Sequence, residues 1–191
     1  MTAKASGMGR AHAPLGVAVG AAALGIVAGF AASAGRKAVI QAAESLTGDW
    51  ADLLKAEHLM VAEVFDLILT TPTKNVGRRR RLARRLKATL DKHAFQEENV
   101  IYPALKLAEP DGPAAKLFAD HAELKVLLYQ LGRADPAGGD WLPLVQAIRR
   151  EFEAHAREEE DVIFPQLRRD LTAEDQAALT SAVQKNGLKL I

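Results

Sequence analysis

The sequence contains no cysteine, which excludes zinc–thiolate sites, iron–sulfur clusters, thiol catalysis and disulfide bonds. Any metal ion must therefore be bound by nitrogen and oxygen ligands. The net charge is only +1, so the chain as a whole carries no field that attracts nucleic acid, and we expect no nucleic-acid partner. The sequence also lacks a glycine-rich phosphate loop and a Ser-His-Asp arrangement. Its 191 residues suffice for one ordinary domain and an appendage.

The part of the chain after residue 48 has no run with the alternating pattern that is typical of β-strands. Apolar residues instead recur with helical spacing in four segments, which are separated by the loops 71–77, 110–113 and 133–140. This pattern predicts an all-α fold, an antiparallel four-helix bundle made of two similar helical hairpins. A short C-terminal helix is expected to follow Thr172, whose side chain can cap its N-terminus.

The N-terminal segment is rich in alanine and glycine, and its core, residues 15–34, has no charged side chain. A stretch of about 20 apolar residues can span a bilayer, so we expect an N-terminal apolar helix that binds a membrane. A cleaved signal peptide and a self-associating tail are the alternatives. The predicted localisation is membrane-anchored or exported, with a cytoplasmic location as the alternative. The predicted units are this segment (1–47), the bundle (48–170) and a C-terminal helix (171–191).

A 13-residue motif occurs twice, as HAFQEENVIYPAL at 93–105 and as HAREEEDVIFPQL at 155–167, with 8 identical positions. In each copy a histidine is followed four residues later by a glutamate, and this spacing puts both side chains on one face of a helix. A further histidine, His58 or His121, precedes each copy. The chain thus contains two similar units that hold four of its five histidines, and only His12 lies outside them.

The distances along the helices predict that the four histidines lie in one layer. At ~1.5 Å per residue, His58 and His93 lie ~20 and ~24 Å from the loop that joins their helices. For His121 and His155 the distances are ~18 and ~22 Å. The predicted metal ligands are these four histidines and the two motif glutamates: His58, His93, Glu97, His121, His155 and Glu159.

Burial of four imidazoles and two carboxylates costs too much free energy unless something compensates it, and two metal ions would do so. Ordinary core histidines and surface acids are the alternative interpretation, but all four histidines would then share one level and the apolar face by coincidence. A ferritin-like site is excluded, because it needs an acid three residues before the histidine. The residues at those positions are Lys55, Leu90, Phe118 and Phe152.

The order His, His-x-x-x-Glu, His, His-x-x-x-Glu, with the following Glu-[Asn/Asp]-Val-Ile-[Tyr/Phe]-Pro-x-Leu, resembles the hemerythrin-like family, the HHE cation-binding domain. The resemblance covers about residues 49–168. It implies a four-helix bundle around two iron ions with an oxo or hydroxo bridge; manganese and zinc are the alternatives. It also implies that Glu97 and Glu159 bridge the two irons and that each histidine binds one iron.

Oxygen-carrying hemerythrins have a further histidine at the position of Lys125, so the resemblance argues against simple reversible carriage of O₂ by this chain. An additional ligand or a group that supports a ligand is expected among four nearby acids, and the sequence does not choose between them: Glu57, Glu98, Glu123 and Glu160.

The predicted function is therefore the binding, sensing or detoxification of O₂, NO, peroxide or iron by a di-iron protein. The partner would be a small diatomic molecule or peroxide. A di-iron enzyme that acts on peroxide or as an oxidase is one alternative, and a membrane-tethered regulatory sensor of iron or gas is another.

Two further features of the sequence have simple structural interpretations. The basic run 78–81 is predicted to be a solvated face, and the aromatic residues Trp50, Tyr102, Trp141 and Phe164 are predicted to pack in the core or at helix ends.

Overall fold

The computed structural model describes residues 48–189, and all regular structure in this part of the chain is helical. The α-helices are α1 (Trp50–Leu69), α2 (Val76–Gln96), α3 (Tyr102–Ala108), α4 (Ala114–Arg133), α5 (Trp141–Glu158), α6 (Phe164–Asp170) and α7 (Ala173–Lys189). A π-helical turn joins α2 to α3 and another joins α5 to α6, at Glu97–Ile101 and Glu159–Ile163. The predicted all-α class is confirmed for these residues. The predicted N-terminal apolar helix lies outside them.

The four long helices enclose a common core. Helix α1 packs against α2 and α5, and α4 packs against the same two helices. The buried side chains form two apolar clusters, one around Trp50, Leu54 and Phe164 and the other around Phe65 and Trp141. Along α1 and α4, the ligand histidine lies between residues of the first cluster and residues of the second. In α2 and α5, residues of the second cluster come first, and residues of the first cluster follow the motif glutamate in the π-helical turn. The fold therefore places a polar layer between two apolar ones.

Capping side chains account for where α1 and α7 begin. The carboxylate of Asp49 accepts hydrogen bonds from the backbone N–H groups of Ala51 and Asp52, at 3.0 and 3.2 Å. Arg168 pairs with Asp49 and Asp52, which links the end of α6 to the start of α1. At α7, the hydroxyl of Thr172 accepts a hydrogen bond from the third backbone N–H of the helix, at 3.2 Å. Helix α7 packs against α1, α2 and the first π-helical turn.

The prolines of the repeated motif lie just after the π-helical turns. In the first copy the N–H of Tyr102 donates to the carbonyl of Glu97, which is five residues back. In the second copy the N–H of Phe164 donates to the carbonyl of Glu159 in the same way. Proline cannot donate to an α-helical hydrogen bond and its ring crowds the preceding turn. The wider π-helical turn accommodates this, so the helix continues and the motif glutamate stands at the first residue of the turn.

The guanidinium of Arg79 connects two loops. It is buried and donates to the carbonyl oxygens of Thr71 and Pro136, at 3.1 and 2.7 Å, and to the hydroxyl of Thr73 at 3.2 Å. It also lies over the ring of Trp141, 5.2 Å from the centroid. Arg79 therefore holds the α1–α2 loop against the α4–α5 loop.

The interpretation of residues 78–81 as a solvated basic face is thus wrong for one of its four residues. Arg78, Arg80 and Arg81 are exposed, whereas Arg79 is buried. Helical spacing turns this one position toward the loops, where backbone carbonyl groups satisfy its charge.

The prediction of a membrane-anchored or exported protein is contradicted. None of the helices from Trp50 to Lys189 contains an apolar stretch long enough to cross a bilayer, because each long helix exposes charged side chains on its outer face. Residues 15–34, on which that prediction was based, lie outside the described part of the chain.

The contacts of Arg79 lead to a prediction about stability. Arg79→Ala is expected to lower the free energy of unfolding by roughly 2–4 kcal/mol, because two carbonyl oxygens lose their donor at about 1–3 kcal/mol each. Arg80→Ala, the matched control, removes an exposed arginine and should change it by less than about 0.5 kcal/mol. Urea denaturation of the two variants measures the difference. Equal stabilities would contradict the role given to Arg79.

Candidate metal centre

The structure brings all six predicted ligands into one buried layer. The four histidines come from four different helices, α1, α2, α4 and α5, and the two glutamates begin the two π-helical turns. None of the six is more than 3% exposed. Burial to this extent removes the side chains from water, so their polar atoms must find partners within the layer.

The imidazole rings point their Nε2 atoms toward the centre of the layer in two pairs. The Nε2 atoms of His58 and His93 are 3.0 Å apart, and those of His121 and His155 are also 3.0 Å apart. Each pair comes from one helical hairpin. We call the region around His58 and His93 the first half-site and the region around His121 and His155 the second half-site.

Each glutamate contacts both half-sites. Glu97 Oε2 lies 3.2 Å from Nε2 of His93 and 3.3 Å from Nε2 of His121. Glu159 uses its two oxygens separately, with Oε2 at 3.4 Å from Nε2 of His58 and Oε1 at 3.3 Å from Nε2 of His155. Both carboxylates therefore lie between the half-sites.

The donor atoms of the layer fit a cation. Two carboxylate oxygens, Glu97 Oε1 and Glu159 Oε2, are fully buried and have no hydrogen-bond partner within residues 48–189. The paired Nε2 atoms also face each other at hydrogen-bond distance, so either a proton or a metal ion must lie between them to prevent repulsion of two nitrogen lone pairs. One donor atom from each of His58, His93, Glu97 and Glu159 lies within 4.8 Å of the others, as do donor atoms of Glu97, His121 and His155. Imidazole and carboxylate groups in such a cluster suit iron, manganese or zinc.

The charges of the layer lead to the same conclusion. Burial, together with the Glu159 carboxylate, raises the pKa of Glu97 well above its usual value. Burial acts in the same direction on Glu159, but the close contacts of its carboxylate with His155 and His58 hold the pKa of Glu159 well below its usual value. Burial and the nearby His58 lower the pKa of His93 to about 4. The two buried carboxylates therefore repel each other, and a cation between them would offset this repulsion.

Each histidine is held from the outside by a carboxylate at its Nδ1 atom. The pairs are His58–Glu160 at 2.7 Å, His93–Glu57 at 3.2 Å, His121–Glu98 at 2.9 Å and His155–Asp120 at 3.4 Å. The acid that precedes each lone histidine reaches the histidine of the next helix. The acid that follows each motif glutamate reaches a histidine of the other hairpin. A carboxylate at Nδ1 favours the tautomer whose Nε2 lone pair is free to bind a metal.

The structure distinguishes the four acids among which the sequence did not choose. Glu57, Glu98 and Glu160 support histidines, whereas Glu123 is exposed on the outer side of α4. Asp120 was missed by sequence reasoning. A signal was present, because Asp120 directly precedes a lone histidine as Glu57 does in the first unit.

Three of the supporting carboxylates are also paired with lysines. The ammonium groups of Lys92, Lys116 and Lys125 donate to Glu57, Asp120 and Glu98, at 2.7, 2.7 and 2.5 Å. Lys125 occupies the position of the additional histidine in oxygen carriers. Its ammonium pairs with Glu98 near the surface, as expected for a cation that avoids a positively charged centre.

Tyr102 is a further member of the layer. Its hydroxyl donates to Glu159 Oε1 at 2.8 Å and lies 3.0 and 3.3 Å from Nε2 of His121 and His155. Burial and the carboxylates of Glu97 and Glu159 raise the pKa of Tyr102 well above its usual value, so the hydroxyl keeps its proton. The phenol therefore presents a donor inside the second half-site.

Tyr102 packs in the core as predicted, and its hydroxyl adds contacts within the layer that this prediction did not include. In the repeat, Tyr102 corresponds to Phe164, whose ring stacks on the ring of His58 at a centroid distance of 6.2 Å. A phenylalanine at one of two equivalent positions indicates simple packing. The hydroxyl that distinguishes the two copies was the available signal.

A narrow cavity between α2, α4 and α5 leads to the layer. Its walls are mostly apolar, and it reaches three of the histidines, His93, His121 and His155. Lys125 and Asp91 lie at its rim. The cavity has room for about one water-sized molecule, so a small molecule can approach the second half-site.

The chain is similar to one protein family, to one solved structure and to one curated protein. The model of the hemerythrin HHE cation binding domain family matches residues 50–177. The crystal structure of a hemerythrin HHE cation binding domain-containing protein from Mycobacterium kansasii has a similar fold, with a TM-score of 0.67. The two sequences are 23% identical, and the match covers 75% of this chain and 88% of the other. At this identity the likeness shows the fold alone.

A curated relative from Nostoc sp., named a DNA nickase, is 29% identical over 85 residues. These residues are 44% of this chain but only 24% of the relative. The chain thus spans about a quarter of the length of the protein it matches.

The supporting carboxylates lead to a prediction about cation affinity. Asp120→Ala is expected to lower it by about ten- to a hundredfold, because His155 loses the group that orients its ring. Lys116 keeps a partner in this variant, since it also pairs with Glu158 at 2.6 Å. Competition with a chelator measures the affinity. Glu123→Ala, an exposed acid on the same helix, is the control and should bind like the wild type; a similar affinity for Asp120→Ala would contradict the proposed support.

Proposed function

The chain belongs to the hemerythrin HHE cation-binding family, and on this basis we propose that it is a non-heme di-iron protein that handles O₂, NO or peroxide. The single observation that carries the proposal is the buried layer of four histidines and two glutamates, in which two carboxylate oxygens accept no hydrogen bond from the described residues. The bundle would be an antiparallel four-helix bundle over residues 48–170, with α7 added to it.

We propose that His58 and His93 bind one iron ion and that His121 and His155 bind the other. Glu97 and Glu159 would bridge the two ions, which is supported by their contacts with histidines of both half-sites. Bound iron would supply electron transfer and coordination positions for a small ligand. Manganese or zinc in the isolated protein would be the alternative outcome of metal analysis.

The protein's own residues would orient and protect this centre. The supporting carboxylates fix the histidine rings, and the two apolar clusters exclude bulk water from above and below the layer. Tyr102 supplies a hydrogen-bond donor in the second half-site. The cavity beside Lys125 gives a small ligand a path to the same half-site.

Among the enzymatic alternatives, the cavity favours an activity on peroxide over an oxidase. An oxidase must admit an organic substrate, and the space beside His121 and His155 holds about one water-sized molecule. Hydrogen peroxide is small enough to enter. Rates of reaction of the iron-loaded protein with H₂O₂, NO and O₂ would distinguish an enzyme from a binding protein.

The ligand assignment is tested by metal content. His93→Ala and His155→Ala are each expected to purify with less than half the iron of the wild type, since each removes one donor of a buried site. His12→Ala should retain the wild-type content because His12 lies outside the repeat. Elemental analysis of the three purified variants measures their iron content. Equal iron in all three would exclude the proposed ligands.

The replacement of a histidine by Lys125 predicts the behaviour of the reduced protein in air. With the ammonium group drawn to Glu98 and the cavity beside it, we expect the iron to be oxidised within minutes instead of binding O₂ reversibly. Lys125→His should slow this oxidation by adding a donor at that position. The control is Lys106→His, which changes an exposed lysine of α3.

The rate is measured as the loss of ferrous iron after exposure to air. Reversible uptake of O₂ by the wild-type protein, restored by removing the gas, would show that the missing histidine does not matter and would favour an oxygen carrier.

A further inference from the structure

The two halves of the repeat would make equivalent half-sites if their sequences were identical, but they differ where it matters for a cation. In the first half-site, His58, His93 and both glutamates offer four donor atoms within 4.8 Å of one another. In the second, Glu97, His121 and His155 offer three. A cation in the first half-site therefore finds a more complete set of ligands without any movement of side chains.

The hydroxyl of Tyr102 competes for the donors of the second half-site. It donates at 2.8 Å to Glu159 Oε1, the oxygen of that carboxylate that contacts His155, and lies 3.0 Å from Nε2 of His121. A cation that takes these two atoms must break or rearrange the hydrogen bonds of the phenol. At the equivalent position of the first half-site, Phe164 has no polar atom and only stacks on His58. The hydroxyl also donates to Glu97 Oε2 at 3.4 Å, an oxygen that contacts histidines of both half-sites, so most of this cost, but not all of it, falls on the second half-site.

The ion pairs that support the histidines also differ between the half-sites, because the most buried pair belongs to the first half-site. The pair Glu57–Lys92, which holds His93, is buried, with side-chain exposures of 5% and 7%. In the second half-site both supporting pairs end at the surface, and their lysines, Lys116 and Lys125, are 56% and 48% exposed. Water and salt weaken such exposed pairs. One support of the first half-site, Glu160, is also partly exposed, so the contrast depends on the Glu57–Lys92 pair.

Access from outside also favours exchange at the second half-site. The cavity between α2, α4 and α5 is lined by both of its histidines and only by His93 of the first half-site. His58 does not line it and is covered by the rings of Phe152 and Phe164. A chelator or an incoming ion would therefore reach the second half-site more easily.

From these differences we infer that the half-sites fill in order: the first half-site binds its cation first and retains it, and the second, where Tyr102 competes for the donors, is the exchangeable position. This inference rests on the proposed function, because it requires two cations. It gives the repeat two separate roles, a permanent cation in one half and a replaceable one in the other.

The inference is tested by titrating the metal-free full-length protein with cobalt(II) without oxygen, following the d–d absorption of bound cobalt. The wild type is expected to bind two ions in separate steps, with the second about tenfold or more weaker than the first. His121→Gln should lose the second step and keep the first. His58→Gln should lose the tight step.

Tyr102→Phe gives an independent test, because it removes the competing hydroxyl and keeps the ring. The second step should become several-fold tighter, while the first should change less. Tyr129→Phe is the matched control, since Tyr129 is exposed on α4 and should behave like the wild type. Circular dichroism checks that each variant is folded; if His58→Gln is not, the other two variants decide.

The cobalt titrations test the two-metal function and the order of filling separately. A wild type that binds fewer than two cobalt ions per chain would refute the proposed two-metal function. Two ions bound in one step of equal affinity, or an equal loss in His58→Gln and His121→Gln, would overturn the order of filling alone. A second step that is unchanged in Tyr102→Phe would overturn the role of the hydroxyl.

Discussion

The cost of burying six polar side chains between two apolar clusters is the constraint on which the rest of this structure depends. Carboxylates and imidazoles lose their hydration in this layer, and hydrogen bonds within residues 48–189 do not satisfy all of their oxygens. The raised pKa of Glu97 and the lowered pKa of His93 are consequences of that burial. A cation compensates the loss where an apolar contact cannot, so the same feature that strains the metal-free core creates the binding site.

The supporting carboxylates couple this layer to the assembly of the fold. Glu98 of the first hairpin holds His121 of the second, and Glu160 of the second hairpin holds His58 of the first. These contacts exist only when the two hairpins are packed together, because they join residues far apart in the sequence. The orientation of the ligands is therefore a property of the whole bundle, and metal binding and folding are expected to stabilise each other.

The repeat explains both the symmetry of the centre and its limits. Similar sequences place similar ligands at the same level of two hairpins, so the two histidine pairs have the same Nε2–Nε2 distance of 3.0 Å. The two copies differ at the position of Tyr102, which corresponds to Phe164 in the second copy, and this difference puts a hydroxyl into one half-site only. A difference of one oxygen atom matters here because the hydroxyl donates to Glu159 inside a layer whose side chains are at most 3% exposed.

The sequence by itself determined the helical class, the repeat and the six residues of the layer, because a period of 3.6 residues fixes the face and the level of each side chain along its own helix. Only the tertiary structure decided which acid supports which histidine, that Asp120 is among them, that Arg79 is buried and that Tyr102 enters the layer. These depend on which helix lies beside which and on the local direction of each side chain. Such contacts join distant parts of the chain, and no local spacing encodes them.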